Sequence, residues 1–133
     1  KMPPYHARIT ADRTRHEGSL LVITVANGRQ CGGGIQVGPE ALLDDGLLDV
    51  MVVHDVELAD LGAVFSELGH LGAPDNEHIE YEQVPSVSIE TDHPIQMNFD
   101  GEPVRGTSFH FEVLPKRIRM ILTPNAPLGD QSN

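Results

Sequence analysis

Several residue types are scarce or missing from this chain of 133 residues, and each absence excludes a class of protein. Cys31 is the only cysteine, so an internal disulfide framework is excluded and a reducing compartment such as the cytoplasm is favoured. Aromatic residues make up 5% of the chain and tryptophan is absent. This argues against a sugar-binding module, because such modules stack aromatic rings on the sugar. No apolar run approaches the roughly 18 residues that a membrane-spanning helix needs, so we expect no transmembrane segment.

Basic residues are also few. Nine Lys and Arg stand against 20 Asp and Glu, which gives a net charge of −11. Nucleic-acid binding requires Lys and Arg clustered against phosphates, so nucleic acid is excluded as the main partner. The same balance does not favour broad electrostatic docking on an anionic lipid surface.

Short apolar stretches separated by turn residues dominate the chain and predict a mainly β architecture, a β-sandwich or barrel with one helix packed on it. The length suits a single domain, residues 1–133, whose tail at 123–133 is rich in Pro, Gly and polar residues and is expected to fray. A helix is predicted at 57–71, where apolar residues recur at three- and four-residue spacing, with Asp55 as its N-cap and Gly69 or Gly72 near its end. Strands are predicted at 5–12, at 19–25 after a turn at Glu17-Gly18, and at 47–54, 78–83, 87–91, 95–100, 107–114 and 117–122.

A glycine cluster is the most informative local feature. Residues 27–34 read Asn-Gly-Arg-Gln-Cys-Gly-Gly-Gly and lie between two strand-like stretches. Glycines let the backbone turn through positive φ or approach another group closely. The cluster therefore indicates a loop whose backbone turns sharply or lies close to another group.

An acidic corner follows the glycine cluster. Asp44 and Asp45 come after Leu42-Leu43 and before Gly46-Leu47. Such a loop can direct the carbonyls of Leu42 and Leu47 and the Asp45 carboxylate toward one point, which is the ligand set that Mg²⁺ prefers. Judged by spacing alone, an ordinary type I turn closed by Asp and Gly is the stronger interpretation.

A second acidic corner, Asp100-Gly101-Glu102, lies between two predicted strands. Asp-Gly in that setting is a strong hairpin signal, and on local evidence the hairpin interpretation leads. The alternative is catalytic. A Glu held at the end of a strand could accept the proton of a hydroxyl nucleophile.

The seven histidines show neither a His-x-x-x-His pair nor a Cys partner at zinc spacing. We interpret them as scattered surface or strand residues.

Four stretches in order resemble the C-terminal domain of bacterial lipid kinases of the diacylglycerol kinase catalytic family, and most closely the YegS type. They are the glycine segment at 27–34, the Pro-x-Ala-Leu-x-x-Asp-Gly-Leu-Leu pattern from Pro39, the Asn-x-Asp-Gly-Glu-Pro pattern from Asn98, and residues 109–115. The resemblance covers nearly the whole chain from about residue 20 onward. It implies the β-sandwich-like domain of the diacylglycerol kinase/NAD kinase-like fold.

The resemblance also implies functional residues. Glu102 corresponds to the proton acceptor, and Asp100 supports it or a metal. A Mg²⁺ site, or one for another divalent cation, corresponds to the carbonyls of Leu42 and Leu47 and the carboxylate of Asp45. The resemblance places four further residues at the cleft that faces the nucleotide-binding domain. They are Asn27, Gly32, Gly33 and Gly34.

One family motif is missing. The Gly-Gly-Asp-Gly-Thr segment that holds the nucleotide phosphates belongs to the family's N-terminal domain and does not occur in these residues. The abrupt entry into a strand after residues 1–4 also indicates part of a larger protein. Since phosphoryl transfer depends on positioning and neutralising the phosphates, we expect a C-terminal lobe that is inactive alone. ATP would bind mainly to the absent N-terminal nucleotide-binding domain.

The whole enzyme is expected to phosphorylate the hydroxyl of a lipid such as phosphatidylglycerol or diacylglycerol. It would be cytoplasmic and contact the membrane peripherally. The sequence leaves open whether it forms a homodimer. Two alternatives stay open: a stand-alone β-sandwich binding module, and a lobe of an NAD kinase-like enzyme.

Overall fold

The structure is a computed structural model that describes residues 5–12, 15–73 and 75–119 and the single positions 121, 123, 125 and 128. Its strands are β1 (Tyr5–Ala11), β2 (Arg15–Ala26), β3 (Gln30–Cys31), β4 (Ile35–Gln36), β5 (Leu48–His54), β6 (Ile79–Val84), β7 (Ser86–Phe99) and β8 (Glu102–Glu112), and its α-helix among these residues is α1 (Leu61–Leu68).

Six strands form one antiparallel sheet in the order β6-β5-β2-β1-β7-β8, while β3 and β4 form a separate small hairpin. The sheet is bent, because β7 changes register between Glu90 and Ile95 and its second half continues with β8 alone. That half brings Phe99 against the same apolar cluster that β2 contacts with Ile23 and Val25. The predicted mainly β architecture, sandwich-like with one helix, is confirmed.

Strand β5 forms the centre of the fold, since every residue of it except His54 is buried. Because side chains alternate along a strand, Val50 and Val52 enter the large cluster between the two layers. Met51 and Val53 enter a second cluster beneath α1. Burial of each such side chain contributes about 1.5–3 kcal/mol to the stability of the fold. Strand β5 therefore takes part in both apolar clusters, one on each of its faces.

The helix is shorter than predicted. A 3₁₀ turn, Leu58–Asp60, precedes α1, and Asp60 rather than Asp55 occupies the N-cap position. The Asp55 prediction is wrong because its backbone N–H donates to the carbonyl of Ser19 at 3.0 Å and extends the sheet instead. Gly69 is the C-cap, as predicted.

Strand boundaries also differ from the prediction, including the start of β8, which lies at Glu102 and not at residue 107. Strand β2 runs straight through Glu17 and Gly18, where a turn was expected, because both residues pair with β1. The strands expected at 87–91 and 95–100 are one strand, β7. The strand expected at 117–122 is absent from its described residues, Arg117–Arg119 and Ile121, and most of the tail at 123–133 lies outside the described residues.

None of the helices among the described residues is long and apolar enough to cross a bilayer.

Candidate functional site

The predicted site residues lie on two connections, the loop from β2 to β5 at one end of the sheet and the β7–β8 turn. Strand β2 ends there at Ala26 beside the start of β5, where Ala26 pairs with Asp49. Strand β7 runs in the same direction as β2, because both are antiparallel to β1, so the β7–β8 turn lies toward the same end. We call this the loop end, defined by residues 27–47 and 100–102.

The glycine cluster forms the tip of the small β3–β4 hairpin. Gly32–Gly34 is a 3₁₀ turn, and Gly34 has a φ of 81°, which a side chain would disfavour. The carbonyl of Arg29 accepts the N–H groups of Val37 at 3.0 Å and Gly38 at 3.4 Å and closes the hairpin. Asn27, Gly32 and Gly34 are exposed, so this loop is accessible.

Gly38 joins the glycine hairpin to the core. A Cβ atom at this position would lie 2.9 Å from Cβ of Asp49 and 3.1 Å from the carbonyl oxygen of Gly28. Real Cβ atoms do not approach side chains and backbone so closely. The glycine is therefore required by packing.

Asp49 is a buried acid that the sequence analysis missed, with an exposed fraction of 1%. The Tyr81 hydroxyl donates to its Oδ1, and Nε2 of Gln83 donates to the same atom at 3.3 Å. Gln83 Nε2 also reaches the carbonyl of Glu40 at 3.2 Å, and the Glu40 N–H donates to the Tyr81 hydroxyl at 3.3 Å. The network fixes the start of the 40–47 loop to β5 and β6. A lone Asp within an apolar strand was the signal for it.

Electrostatics at this end are negative. Burial raises the pKa of Asp49, the hydrogen bonds from Tyr81 and Gln83 oppose that shift, and the charges of Asp45 and Glu40 add to it. Burial, with the neighbouring Asp49, likewise raises the pKa of Tyr81. The charges of two carboxylates thus act on a third, and a cation here would relieve that repulsion.

Asp45 lies in a tight turn, as the local interpretation predicted. Its Oδ1 accepts the N–H of Leu47 at 2.9 Å across Gly46, whose φ is 76°. The turn and a metal site are compatible, because the carboxylate has a second oxygen. Leu42, Asp45 and Leu47 are half-buried and offer only oxygen ligands, so the donor set fits a hard divalent cation such as Mg²⁺.

Asp100 and Gly101 are the two central residues of the β7–β8 turn, with φ angles of 50° and 103°. Positive φ at both positions is the geometry of a type I′ hairpin. The Gly101 N–H donates to Oδ1 of Asn98 at 2.7 Å. The hairpin interpretation is therefore right, and it leaves the catalytic interpretation of Glu102 open.

Glu102 is exposed and opens β8 opposite Phe99. Phe99 stacks on Phe111 with ring centroids 5.4 Å apart and packs against the core. An aromatic anchor thus holds an exposed carboxylate at a fixed place on the loop end.

Comparisons with known proteins agree with this fold. A family model described as the YegS C-terminal NAD kinase beta sandwich-like domain matches residues 1–122. The "Probable lipid kinase YegS-like" protein of Stenotrophomonas maltophilia is 36% identical over 133 residues, which cover 96% of this chain and 42% of that protein. The "Probable lipid kinase YegS" of Salmonella arizonae is 40% identical over 127 residues, with coverage of 96% and 41%.

A solved structure described as a diacylglycerol kinase from Bacillus anthracis strain Sterne has a TM-score of 0.74 with this chain. The two are 25% identical, and the match covers 91% of this chain and 43% of that one. The chain therefore spans about two fifths of the length of the curated relatives it matches.

Proposed function

The chain belongs to the YegS C-terminal, NAD kinase β-sandwich-like domain family, and on that basis we propose that it is the C-terminal lobe of an ATP-dependent lipid kinase. The reaction moves the γ-phosphoryl group of ATP to the hydroxyl of a lipid such as phosphatidylglycerol or diacylglycerol. The observation that supports the proposal is that β2 and β7, which both pair antiparallel with β1, run in the same direction, so the connections that follow them and carry the family motifs extend toward the same end of the sheet.

ATP binds mainly to a nucleotide-binding domain outside this chain. The relatives are more than twice as long as the match, and the phosphate-holding Gly-Gly-Asp-Gly-Thr segment does not occur in these residues. Phosphoryl transfer requires the phosphates to be positioned and neutralised. The 133 residues alone are therefore inactive in this proposal.

Glu102 accepts the proton of the lipid hydroxyl, and Asp100 supports it from the same turn. Both are exposed on an anchored hairpin, so a substrate held between two domains can reach them. A general base of this kind contributes roughly 10²- to 10⁴-fold in rate.

Asp45, with the carbonyls of Leu42 and Leu47, would hold Mg²⁺ or another divalent cation. A bound cation would supply positive charge that offsets the acidic groups of the loop end. Asp45 itself orders the loop through its bond to Leu47. Asn27 and the turn Gly32–Gly34 would face the nucleotide-binding domain, and Asn27, Gly32 and Gly34 are exposed.

The lipid kinase proposal is favoured over the two alternatives. The relatives with the highest identities above are named lipid kinases, which favours a lipid over a nicotinamide dinucleotide as substrate and an enzyme lobe over a stand-alone binding module. The enzyme would act in the cytoplasm with peripheral membrane contact. Homodimer formation stays a prediction.

The test is Glu102→Gln in the full-length kinase, assayed with ATP and a panel of lipids that carry free hydroxyls. We expect kcat to fall by about 10²- to 10⁴-fold with little change in the KM for ATP. Glu112→Gln is the matched control, because Glu112 is exposed at the opposite end of β8. Equal kcat in both variants would overturn the role of Glu102, and no turnover of any lipid by the unaltered kinase would overturn the substrate class.

A further inference from the structure

Three side chains with metal-binding chemistry meet at the other end of the sheet. They are His16 at the start of β2, His54 at the end of β5 and Glu80 near the start of β6. We call this the histidine end. The seven residues of β5 separate it from the loop end by about 20 Å at about 3.3 Å per residue.

The distances between the polar atoms are short. Nε2 of His54 lies 2.9 Å from Oε1 of Glu80, and Nδ1 of His16 lies 3.5 Å from the same oxygen. One ligand atom from each residue lies within 4.8 Å of the others. In a tetrahedral site, bonds of about 2.0–2.1 Å place ligand atoms about 3.3 Å apart, so small side-chain rotations would complete the geometry.

Strand pairing places the three residues on neighbouring strands and on the same face of the sheet. Strands β2, β5 and β6 are neighbours in the sheet, so each contributes one ligand. His54 pairs with Leu20, and Glu80 pairs with Val52 two residues before His54. Since alternate residues share a face, His16, His54 and Glu80 project from the same side.

Gly18 makes room for the first ligand. A Cβ atom there would lie 3.2 Å from Nε2 of His16, so a larger residue would crowd the ring. The two histidine side chains are 17% and 24% exposed, and their ring centroids are 4.7 Å apart. Rings held this closely by the backbone lose little freedom when they bind an ion.

The hydrogen-bonding capacity of the His16 ring is not fully used within the described residues. Its Nε2 is buried with no hydrogen-bond partner in the described part of the chain, whereas buried polar atoms in proteins are nearly always satisfied. Its other nitrogen faces a carboxylate that His54 already contacts.

The donor set differs from that of the loop end. Two imidazole nitrogens and one carboxylate oxygen suit Zn²⁺ and related first-row ions, whereas carbonyl and carboxylate oxygens suit Mg²⁺. A cavity of about 270 Å³ lies beside the cluster, lined by His16, Glu80 and Glu82 among others. It leaves space for water or a small ligand at a fourth position.

We propose that His16, His54 and Glu80 form a binding site for Zn²⁺ or a related late first-row divalent cation. The site joins the edge strand β6 to β2 across β5. It is separate from the proposed Mg²⁺ site and does not depend on the proposed kinase activity.

The experiment measures metal binding by the full-length protein that contains this chain, in buffer with excess Mg²⁺. Zn²⁺ affinity is determined by titration calorimetry, and Co²⁺ is used as a spectroscopic probe of nitrogen ligands. We expect the site to bind one Zn²⁺ per chain. His54→Ala and Glu80→Gln should each weaken that affinity by about 100-fold or more, since even groups that only support a ligand are worth about 10–100-fold.

His6→Ala is the matched control. His6 also pairs with a carboxylate, Asp92, at 3.3 Å, but among the described residues no third ligating group joins that pair. Its substitution should leave Zn²⁺ affinity and the Co²⁺ spectrum unchanged. Glu80→Gln keeps a hydrogen-bonding side chain, and a circular dichroism spectrum like that of the unaltered protein would show that it folds.

Two outcomes would overturn the proposal. One is that the unaltered protein binds no Zn²⁺ under these conditions. The other is that the protein binds Zn²⁺ equally well with and without His54 and Glu80. Neither outcome would bear on the lipid kinase proposal, because no readout uses phosphoryl transfer.

Discussion

The two ends of the sheet carry different chemistry. The loop end presents exposed or half-buried oxygen ligands on turns, such as Asp45 and Glu102, backed by the buried Asp49. The histidine end presents nitrogen ligands on strands, and its two rings are largely buried. The first end is suited to a hard cation and a second domain, and the second end to a soft cation within the sheet itself.

The way each end is assembled explains which of them can be recognised in the sequence. The loop end consists of contiguous motifs, because a turn takes its ligands from neighbouring residues. The histidine end collects residues 16, 54 and 80 through strand pairing. Nothing in the spacing of these three residues along the chain marks them as a group, so the sequence alone indicates scattered histidines.

The largest stability effect is expected from breaking the packing of the loop end with Gly38→Ala. The added Cβ would meet Asp49 and the carbonyl of Gly28 at about the closest distances that atoms permit. Overpacking of this kind typically costs about 1–3 kcal/mol, and we expect the upper part of that range because one neighbour is backbone. Urea unfolding measures the loss.

Gly28→Ala is the control, because nothing lies within 4 Å of a Cβ at that position. It should change the free energy of unfolding by less than about 0.5 kcal/mol. Equal losses in the two variants would mean that the loop as a whole, and not the contact of Gly38 with Asp49, sets its stability.

Much of the fold follows from the sequence. Strong patterns such as the apolar run at 47–54 give β5 almost to the residue, and the family motifs identify the domain. Errors arose where tertiary pairing outweighs local signals. Gly18 reads as a turn, but it is an internal strand residue that makes room for His16.

The sites could be predicted only in part. The turns at Gly46 and Asp100-Gly101 were recognisable because positive φ requires particular residues. The network around Asp49 was not, because its partners Tyr81 and Gln83 lie more than 30 residues away on a neighbouring strand. Their register is fixed by the sheet and not by any local pattern.

Tyr81→Phe breaks that network and should cost about 2 kcal/mol at neutral pH, since hydrogen bonds to charged groups are worth about 1.5–3 kcal/mol. The Tyr81 bond lowers the pKa of Asp49 against the effect of burial, so its loss raises that pKa further. A carboxyl whose folded pKa is raised contributes stability below its unfolded pKa and loses that contribution as pH rises.

The deficit of Tyr81→Phe should therefore be larger at pH 7 than below about pH 4, where Asp49 is protonated in the unfolded chain as well. Unfolding free energies across this range test the sign. Tyr5→Phe, at an exposed tyrosine, should show no such trend. A deficit of Tyr81→Phe that does not change with pH would mean that the Tyr81 bond does not lower the pKa of Asp49.

Asp45→Ala tests the loop end as a cation site. In the full-length kinase, the Mg²⁺ concentration for half-maximal activity should rise about tenfold, which corresponds to about 1.4 kcal/mol, while the KM for ATP changes little. Asp60→Ala, at an exposed N-cap with no side-chain capping bond, is the control. A large loss of ATP affinity with an unchanged Mg²⁺ response would count against the metal assignment.

The smallest effect is expected near the histidine end, from Glu67→Gln. Glu67 on α1 accepts three backbone N–H groups at the entry to β6, from Glu77 at 3.2 Å and from His78 and Ile79 at 2.9 Å each. Glutamine offers one acceptor oxygen where glutamate offers two, so about 1 kcal/mol should be lost at neutral pH.

This loss of stability should vanish in acid. The pKa shift behind it is opposite in direction to that of Asp49. Burial acts to raise the pKa of Glu67, but the three N–H donors outweigh it and hold the pKa below its usual value. A lowered carboxyl pKa contributes stability above the unfolded pKa, and that contribution disappears as pH falls through the folded one. Glu67 and its glutamine variant should therefore converge in stability below about pH 4, because a protonated glutamate resembles glutamine. If the difference in stability persisted in acid, the bonds from Glu67 to the residues before β6 would depend on the shape of the side chain and not on its charge. The two ends of the sheet would then differ less in their electrostatics than the structure indicates.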